Sequence, residues 1–178
     1  MIETPRLVLR PWRDTDRAPF HELNSDPRVM EFFPSIPMRE QSDALIDRCQ
    51  EHFERHGFTF FAAELRESGE LAGFIGLAHT PFEAHFTPCV EIGWRLGFTY
   101  WNRGLATEGA RAALNFGFEQ LRLREIVALT VPANLRSRRV MEKLGMTIDP
   151  AGAFDHPRVP EGHPLRRHVL YRIQSPLL

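Results

Sequence analysis

No stretch of this chain limits its fold as tightly as Trp101-Asn102-Arg103-Gly104-Leu105-Ala106-Thr107-Glu108. A strand-like apolar run at 90–98 leads into it, and a helical pattern at 105–121 leads out. The first turn of a helix holds N–H groups without intrahelical partners, and the helix dipole places partial positive charge there. A short loop of small residues between strand and helix aims those groups at an anion. Gly104 and Ala106 keep the surface bare, and Arg103 adds a cation. Residues 102–107 (Asn102, Arg103, Gly104, Leu105, Ala106, Thr107) therefore read as a pyrophosphate cradle. A nucleotide P-loop needs a Lys-Ser/Thr pair after its second glycine, and a dinucleotide fold needs three spaced glycines. Neither pattern occurs here. Taken alone, a segment with one glycine reads rather as a plain strand-to-helix turn.

A second motif lies about thirty residues downstream. A short strand at 125–131 is ended by Pro132, and Asn134-Leu135-Arg136-Ser137-Arg138-Arg139-Val140-Met141-Glu142-Lys143-Leu144-Gly145 follows. Asn134 suits an N-cap and Gly145 a C-terminal stop. Val140, Met141 and Leu144 share an apolar side, whereas Arg136, Arg139 and Lys143 face water. Together the two segments resemble the GNAT superfamily of acyl-coenzyme A N-acyltransferases, and most closely its RimJ/RimL-like branch. Thr4-Pro5-Arg6-Leu7-Val8-Leu9-Arg10 and Val90-Glu91-Ile92-Gly93-Trp94 fit that branch as well, so the resemblance spans residues 4–173.

The remaining chain agrees with an α/β domain. Its 178 residues suit one domain with one substantial core, and no linker or repeat divides it. A hydrophobic share of 43% with 25% charged residues is ordinary for a globular protein. The net charge of −1 argues against nucleic-acid or membrane partners. No signal-like start or long apolar run is present, so a cytoplasmic location is expected. The pair Cys49 and Cys89 has neither disulfide nor zinc spacing. Alternation at 6–12 predicts a strand, and Asp14, Asp16 and residues 20–23 predict a short helix. A second helix is expected at 39–55, then strands at 58–65 and 71–79 joined by Ser68-Gly69. The order β-α-α-β-β-β-α-β-α-β-β implies a mixed, mostly antiparallel central sheet flanked by helices. The resemblance adds that the strands holding Glu91 and Val127 splay apart to seat the coenzyme.

The chemistry implied is acyl transfer from a thioester, acetyl-coenzyme A, to an amine. An amine is mostly protonated at neutral pH, so the reaction needs a base, an oxyanion donor and a proton for the leaving thiolate. Glu91, isolated in an apolar strand, is the candidate base, acting directly or through a water; a surface partner for an arginine is its bland alternative. The family pattern assigns the oxyanion to the main-chain N–H of Leu96, with Gly93 or Gly97 expected to mark a bulge that turns it outward. Many family members carry a tyrosine where this chain has Met141, which cannot donate a proton. The resembled branch offers a serine instead, and Ser137 matches it, with Asn134 as cap and coenzyme contact. Trp101 stands where relatives often carry arginine or glutamine.

Arg139 is the candidate for the coenzyme's 3′-phosphate; a solvated helix face explains the same arginines. Phe32, Phe33, Trp94 and His163 are candidate acceptor contacts, together with the polar segments 155–158 and 163–168. The other phenylalanines (Phe53, Phe58, Phe60, Phe74, Phe116, Phe118) are expected in the core. Cys49, His52 and His56 fall on one side of a helix, but no further ligand is near in sequence, and no metal is expected. His56 also suits the negative end of a helix. Acceptors implied by the resemblance are a protein N-terminal amine, an amino acid or a small amine, and a homodimer is allowed. A non-catalytic acyl-coenzyme A sensor or docking module is the competing function.

Overall fold

The computed structural model describes residues 1–176. Nine strands form a sheet in the order β1-β2-β3-β4-β5-β6-β9-β7, with β8 pairing on β9. The strands are Ile2–Glu3 (β1), Leu7–Arg10 (β2), Phe60–Leu65 (β3), Leu71–His79 (β4), Val90–Leu96 (β5), Glu125–Thr130 (β6), Thr147–Ile148 (β7), Phe154–Asp155 (β8) and Arg167–Gln174 (β9). The helices are Arg17–Asn24 (α1), Arg39–His56 (α2), Leu105–Glu119 (α3) and Leu135–Lys143 (α4). A mixed, mostly antiparallel sheet flanked by helices is thus the architecture, as expected.

Strand β4 is the spine: residues 72–78 are buried throughout, because helices cover both faces. On one face Leu7, Ile75, Leu77, Ile92 and Leu96 pack with Leu105, Ala113 and Phe118 of α3. On the other, Trp12, Phe20, Ile46, Cys49, Ala62 and Phe74 form a second cluster under α1 and α2. Arg10 joins that end by two bonds to Asp16 (2.7 and 2.8 Å) and one to Glu64 (2.6 Å).

The single parallel connection, β5-α3-β6, creates the opening that matters. Strands β4 and β5 stay in register from Gly73↔Leu96 to His79↔Val90. Strands β5 and β6 pair only at Glu91↔Val127. Beyond that point they part, and the gap faces the N-terminus of α3. The irregularity expected at Gly93 or Gly97 is absent from the β4–β5 ladder; the sheet's register shift lies between Ala63 and Glu64.

Candidate active site

The gap opens into a cleft of about 540 Å³, a size suited to a cofactor-sized ligand. One half of it is built by main chain. Asn102 (φ 58°) and Gly104 (φ 76°) both adopt left-handed backbone, folding the loop tightly before α3. Glycine takes that conformation without strain, and Gly104 provides no side-chain cap. The helix's first bond is Glu108 N–H to Gly104 O, so the N–H groups of Leu105, Ala106 and Thr107 precede the helical ladder. Those residues, with Asn102 and Gly104, line the cleft. Arg103 does not: it is exposed outside the lining, and its carbonyl accepts a bond from Arg6 (2.8 Å). Arg6 also meets Glu108 at 2.6 Å, so an N-terminal arginine pins the loop from behind.

Strand β5 extends the same half. The bond from Gly97 N–H to Ala72 O fixes the phase of the β4–β5 ladder. Antiparallel residues alternate between bonding their neighbour and facing away. Trp94 and Leu96 therefore turn their N–H groups towards the side that β6 has left. An outward N–H at Leu96 needs no bulge, which explains why none is present. Trp101 closes this end by donating its indole N–H to Leu96 O (2.8 Å).

Across the gap, Asn134 caps α4 by accepting from Ser137 N–H (3.2 Å) and donates to Thr130 Oγ1 (3.1 Å). Its side chain thus ties α4 to the end of β6. Ser137, half-buried, lines the cleft, and its hydroxyl makes no hydrogen bond among the described residues. Arg139, Met141 and Lys143 also reach the lining. Arg136 forms an ion pair with Glu31 and lies over the Trp101 ring at 4.6 Å, joining α4 to the α1–α2 loop across the mouth.

The other half is built by side chains. Alternation along β5 places Glu91, Gly93 and Arg95 on one face, with Ala78, Gly76 and Phe74 opposite them in register. A Cβ at Gly93 would come within 2.9 Å of the Phe60 ring, so glycine lets that ring lie flat on the strand. Phe60 and Phe74 stack at 5.2 Å; Phe74 belongs to the second core cluster and Phe60 packs against it, as expected for core residues, and both also form a wall of the cleft. Phe32 and Phe33 line it from the α1–α2 loop. Trp94 borders the cleft too, but shares the opposite face with Ile92 and Leu96 and packs on the main core.

Burial raises the Glu91 carboxyl to about 7, and the Arg158 charge opposes this only in part. Arg95 is the unexpected member. Its guanidinium sits 4.2 Å over Phe33 and donates to Asn24 (2.8 Å), while its buried Nε has no partner. Burial lowers its pKa to about 10. Nothing in the local pattern Gly93-Trp94-Arg95 distinguishes an arginine turned into a cleft from an exposed one.

The C-terminal segment stays outside. His163 accepts the Leu165 N–H on Nδ1 (3.1 Å), so its ring stabilises its own turn and does not reach the cleft. His156 and His168 pack at 4.9 Å beside Phe154, and Arg158 donates to Pro81 O (2.6 Å). Only the Arg158 charge acts on Glu91.

A splayed parallel pair facing an uncapped helix N-terminus, with a half-buried carboxyl beside it, fits one class: an acyl-coenzyme A-dependent transferase. The family follows from comparison with known proteins. Residues 6–147 match the model of the Acetyltransferase (GNAT) domain, and the chain belongs to that family. It is 33% identical over 146 residues to YkkB of Bacillus subtilis, covering 82% of this chain and 84% of that protein. A GNAT-family acetyltransferase structure from Bacillus anthracis superposes with a TM-score of 0.79 at 31% identity, covering 98% of each chain. Mycobacterium smegmatis RimJ, solved with a coenzyme A disulfide, has a TM-score of 0.75 at 22% identity over 97% of this chain and 83% of its own. That last likeness concerns the fold alone, and the RimJ/RimL-like branch is not singled out among the matches.

Proposed function

We propose that this protein is an acetyl-coenzyme A-dependent N-acetyltransferase that works by direct transfer in a ternary complex, and that its acceptor is a protein or peptide N-terminal amine. The observation that carries the reading is Glu91: a carboxyl raised to about 7, on the strand bordering the gap opposite the α3 N-terminus. A base with a pKa near the working pH is both available and strong enough to take the amine proton. In this reading residues 102 and 104–107 hold the pyrophosphate on backbone N–H groups and Arg139 holds the 3′-phosphate. The Leu96 N–H polarises the thioester carbonyl, and the Ser137 hydroxyl donates a hydrogen bond that steadies the departing thiolate. Asn134 positions Ser137 through the cap.

Arg95 favours an N-terminal amine over a polyamine. A half-buried cation without a carboxylate partner among the described residues repels a second cation, and its orphaned, buried Nε suits a carbonyl or carboxylate near the acceptor amine. Phe32 and Phe33 would flank that acceptor. The test follows thiol release from acetyl-coenzyme A with peptides of different N-termini, free amino acids and polyamines. Turnover on peptide N-termini is expected. Turnover on polyamines alone would overturn the acceptor assignment, and tight coenzyme binding without turnover on any amine would point to a sensor.

A further inference from the structure

Away from the cleft, α2 and β4 bring three imidazoles together at one end of the sheet. His52 and His56 stand one turn apart on α2, and His79 ends β4. One ring nitrogen of each lies within 4.8 Å of the other two. The grouping of Cys49 with the histidines does not form. Cys49 is buried in the second core cluster, where desolvation pushes its thiol up to about 11. His79, far away in sequence, supplies the third nitrogen instead.

We propose that His52, His56 and His79 bind one divalent transition cation of the zinc class, with a fourth position filled by water. The tautomer of His52 is already set. Its Nδ1 lies 2.7 Å from Phe58 O, an acceptor, so Nδ1 carries the hydrogen and Nε2 keeps its lone pair. A second ring nitrogen tied to a backbone carbonyl is the usual support of a metal-bound histidine. That Nε2 lies 3.1 Å from His79 Nδ1 and 3.1 Å from the His79 backbone nitrogen. The backbone N–H donates to that Nε2, and His79 Nδ1 presents a lone pair beside it in the tautomer that carries its hydrogen on Nε2. Nitrogens bound at ~2.0–2.1 Å to a tetrahedral zinc ion stand about 3.3 Å apart, so the two rings need little movement.

His56 is exposed, with its ring 4.5 Å from both others, and can turn without disturbing the core. It closes α2 just before Gly57, where the helix dipole is negative and favours a cation. Arg55 is the nearby opposing charge, and it is exposed. A set of imidazoles without carboxylates suits zinc, copper or nickel and not magnesium or calcium. The cation would tie the end of α2 to the end of β4. His79 pairs with Val90, one register step from Ala78↔Glu91, so its side chain faces away from that of Glu91. None of the three histidines lines the cleft.

The test uses the full chain, stripped with chelator, and does not involve catalysis. Zn²⁺ titrated by calorimetry is expected to bind once per chain, and Co²⁺ to develop the visible bands of a four-coordinate site. His79→Gln and His56→Gln should each weaken Zn²⁺ binding about tenfold or more. The melting temperature should rise with Zn²⁺ in the wild type and not in His79→Gln. Both residues are exposed, and equal melting of variants and wild type in chelator confirms that the fold is kept. No saturable Zn²⁺ uptake, or unchanged affinity and Co²⁺ spectrum in His79→Gln, would overturn the proposal.

Discussion

The two halves of the cleft are made differently. The coenzyme half is mostly backbone: the first turn of α3, the outward N–H groups of Trp94 and Leu96, and left-handed residues at 102 and 104. The half proposed for the acceptor is mostly side chain: Glu91, Arg95, Phe60 and Phe74 on the sheet, with Phe32 and Phe33 from a loop. Backbone donors recognise a feature every acyl-coenzyme A shares, and they survive most substitutions. Side chains recognise one acceptor and one proton, so they can change without harming the fold. Single substitutions should therefore act on rate and pH dependence in one half, and on coenzyme affinity in the other.

Glu91→Gln tests this contrast most severely. Removing a general base costs about 10²–10⁴ in rate, so kcat/KM for the amine should fall in that range while coenzyme affinity holds. In the wild type, kcat/KM should rise with pH through an apparent pKa near 7. The variant should lose that limb and keep only the acceptor's own, at higher pH. Stability gives a second reading of the same carboxyl. The native pKa near 7 exceeds the ordinary carboxyl value of 4.5. Between them the native state holds a proton that the unfolded chain has released, so stability falls as pH rises. The loss is complete above about pH 7 and is on the order of 3 kcal/mol. Denaturant curves should show Glu91→Gln more stable than wild type at pH 8, with the two converging below about pH 4.5. Equal stability at both ends would mean that the carboxyl is solvated and is no tuned base.

Much of the coenzyme half could be read from the chain because each part has a local cause. The Gly104 turn, the Asn134 cap and the bounds of β4 and α2 follow from propensity and spacing within a few residues. What escaped depends on distant pairing. The outward N–H at Leu96 comes from the departure of β6, not from a glycine bulge, and no residue of β5 encodes where β6 goes. Arg6 pins the Gly104 loop across a separation of 97 residues. Phe60 looks like any core phenylalanine until Gly93 leaves room for its ring beside the cleft, with Phe74 stacked on it. His163 failed for the opposite reason: a local turn satisfied it, so it never reached the site. His79 joined His52 and His56 only because β4 ends beside α2.

Gly104→Val tests the backbone half. A β-branched residue at φ 76° is strained, with a cost of roughly 1–2 kcal/mol. The loop relieves that strain by turning the first N–H groups of α3 away from the phosphate. Coenzyme KM or Kd should rise about tenfold, with the amine KM and the pH limb near 7 unchanged. A fall in kcat with coenzyme affinity intact would show that the loop does not bind phosphate, and the division of labour would fail.

Ser137→Ala should have the smallest effect, and its size decides how far side chains matter in the coenzyme half. The hydroxyl makes no bond among the described residues, whereas the Ser137 N–H stays tied to Asn134. Alanine therefore keeps the cap and the helix and removes only the proposed donor to the thiolate. A single hydrogen bond of this kind is worth about 0.5–1.5 kcal/mol net, so kcat should fall about two- to tenfold. Coenzyme Kd should not change, since the bond forms only as the thiolate departs. Acyl donors whose thiols have lower pKa should be affected less, because they leave without a proton. A loss of more than about a hundredfold would exceed what one neutral bond supplies. It would make Ser137 the main proton source and would place side-chain chemistry in the half that otherwise works through its backbone.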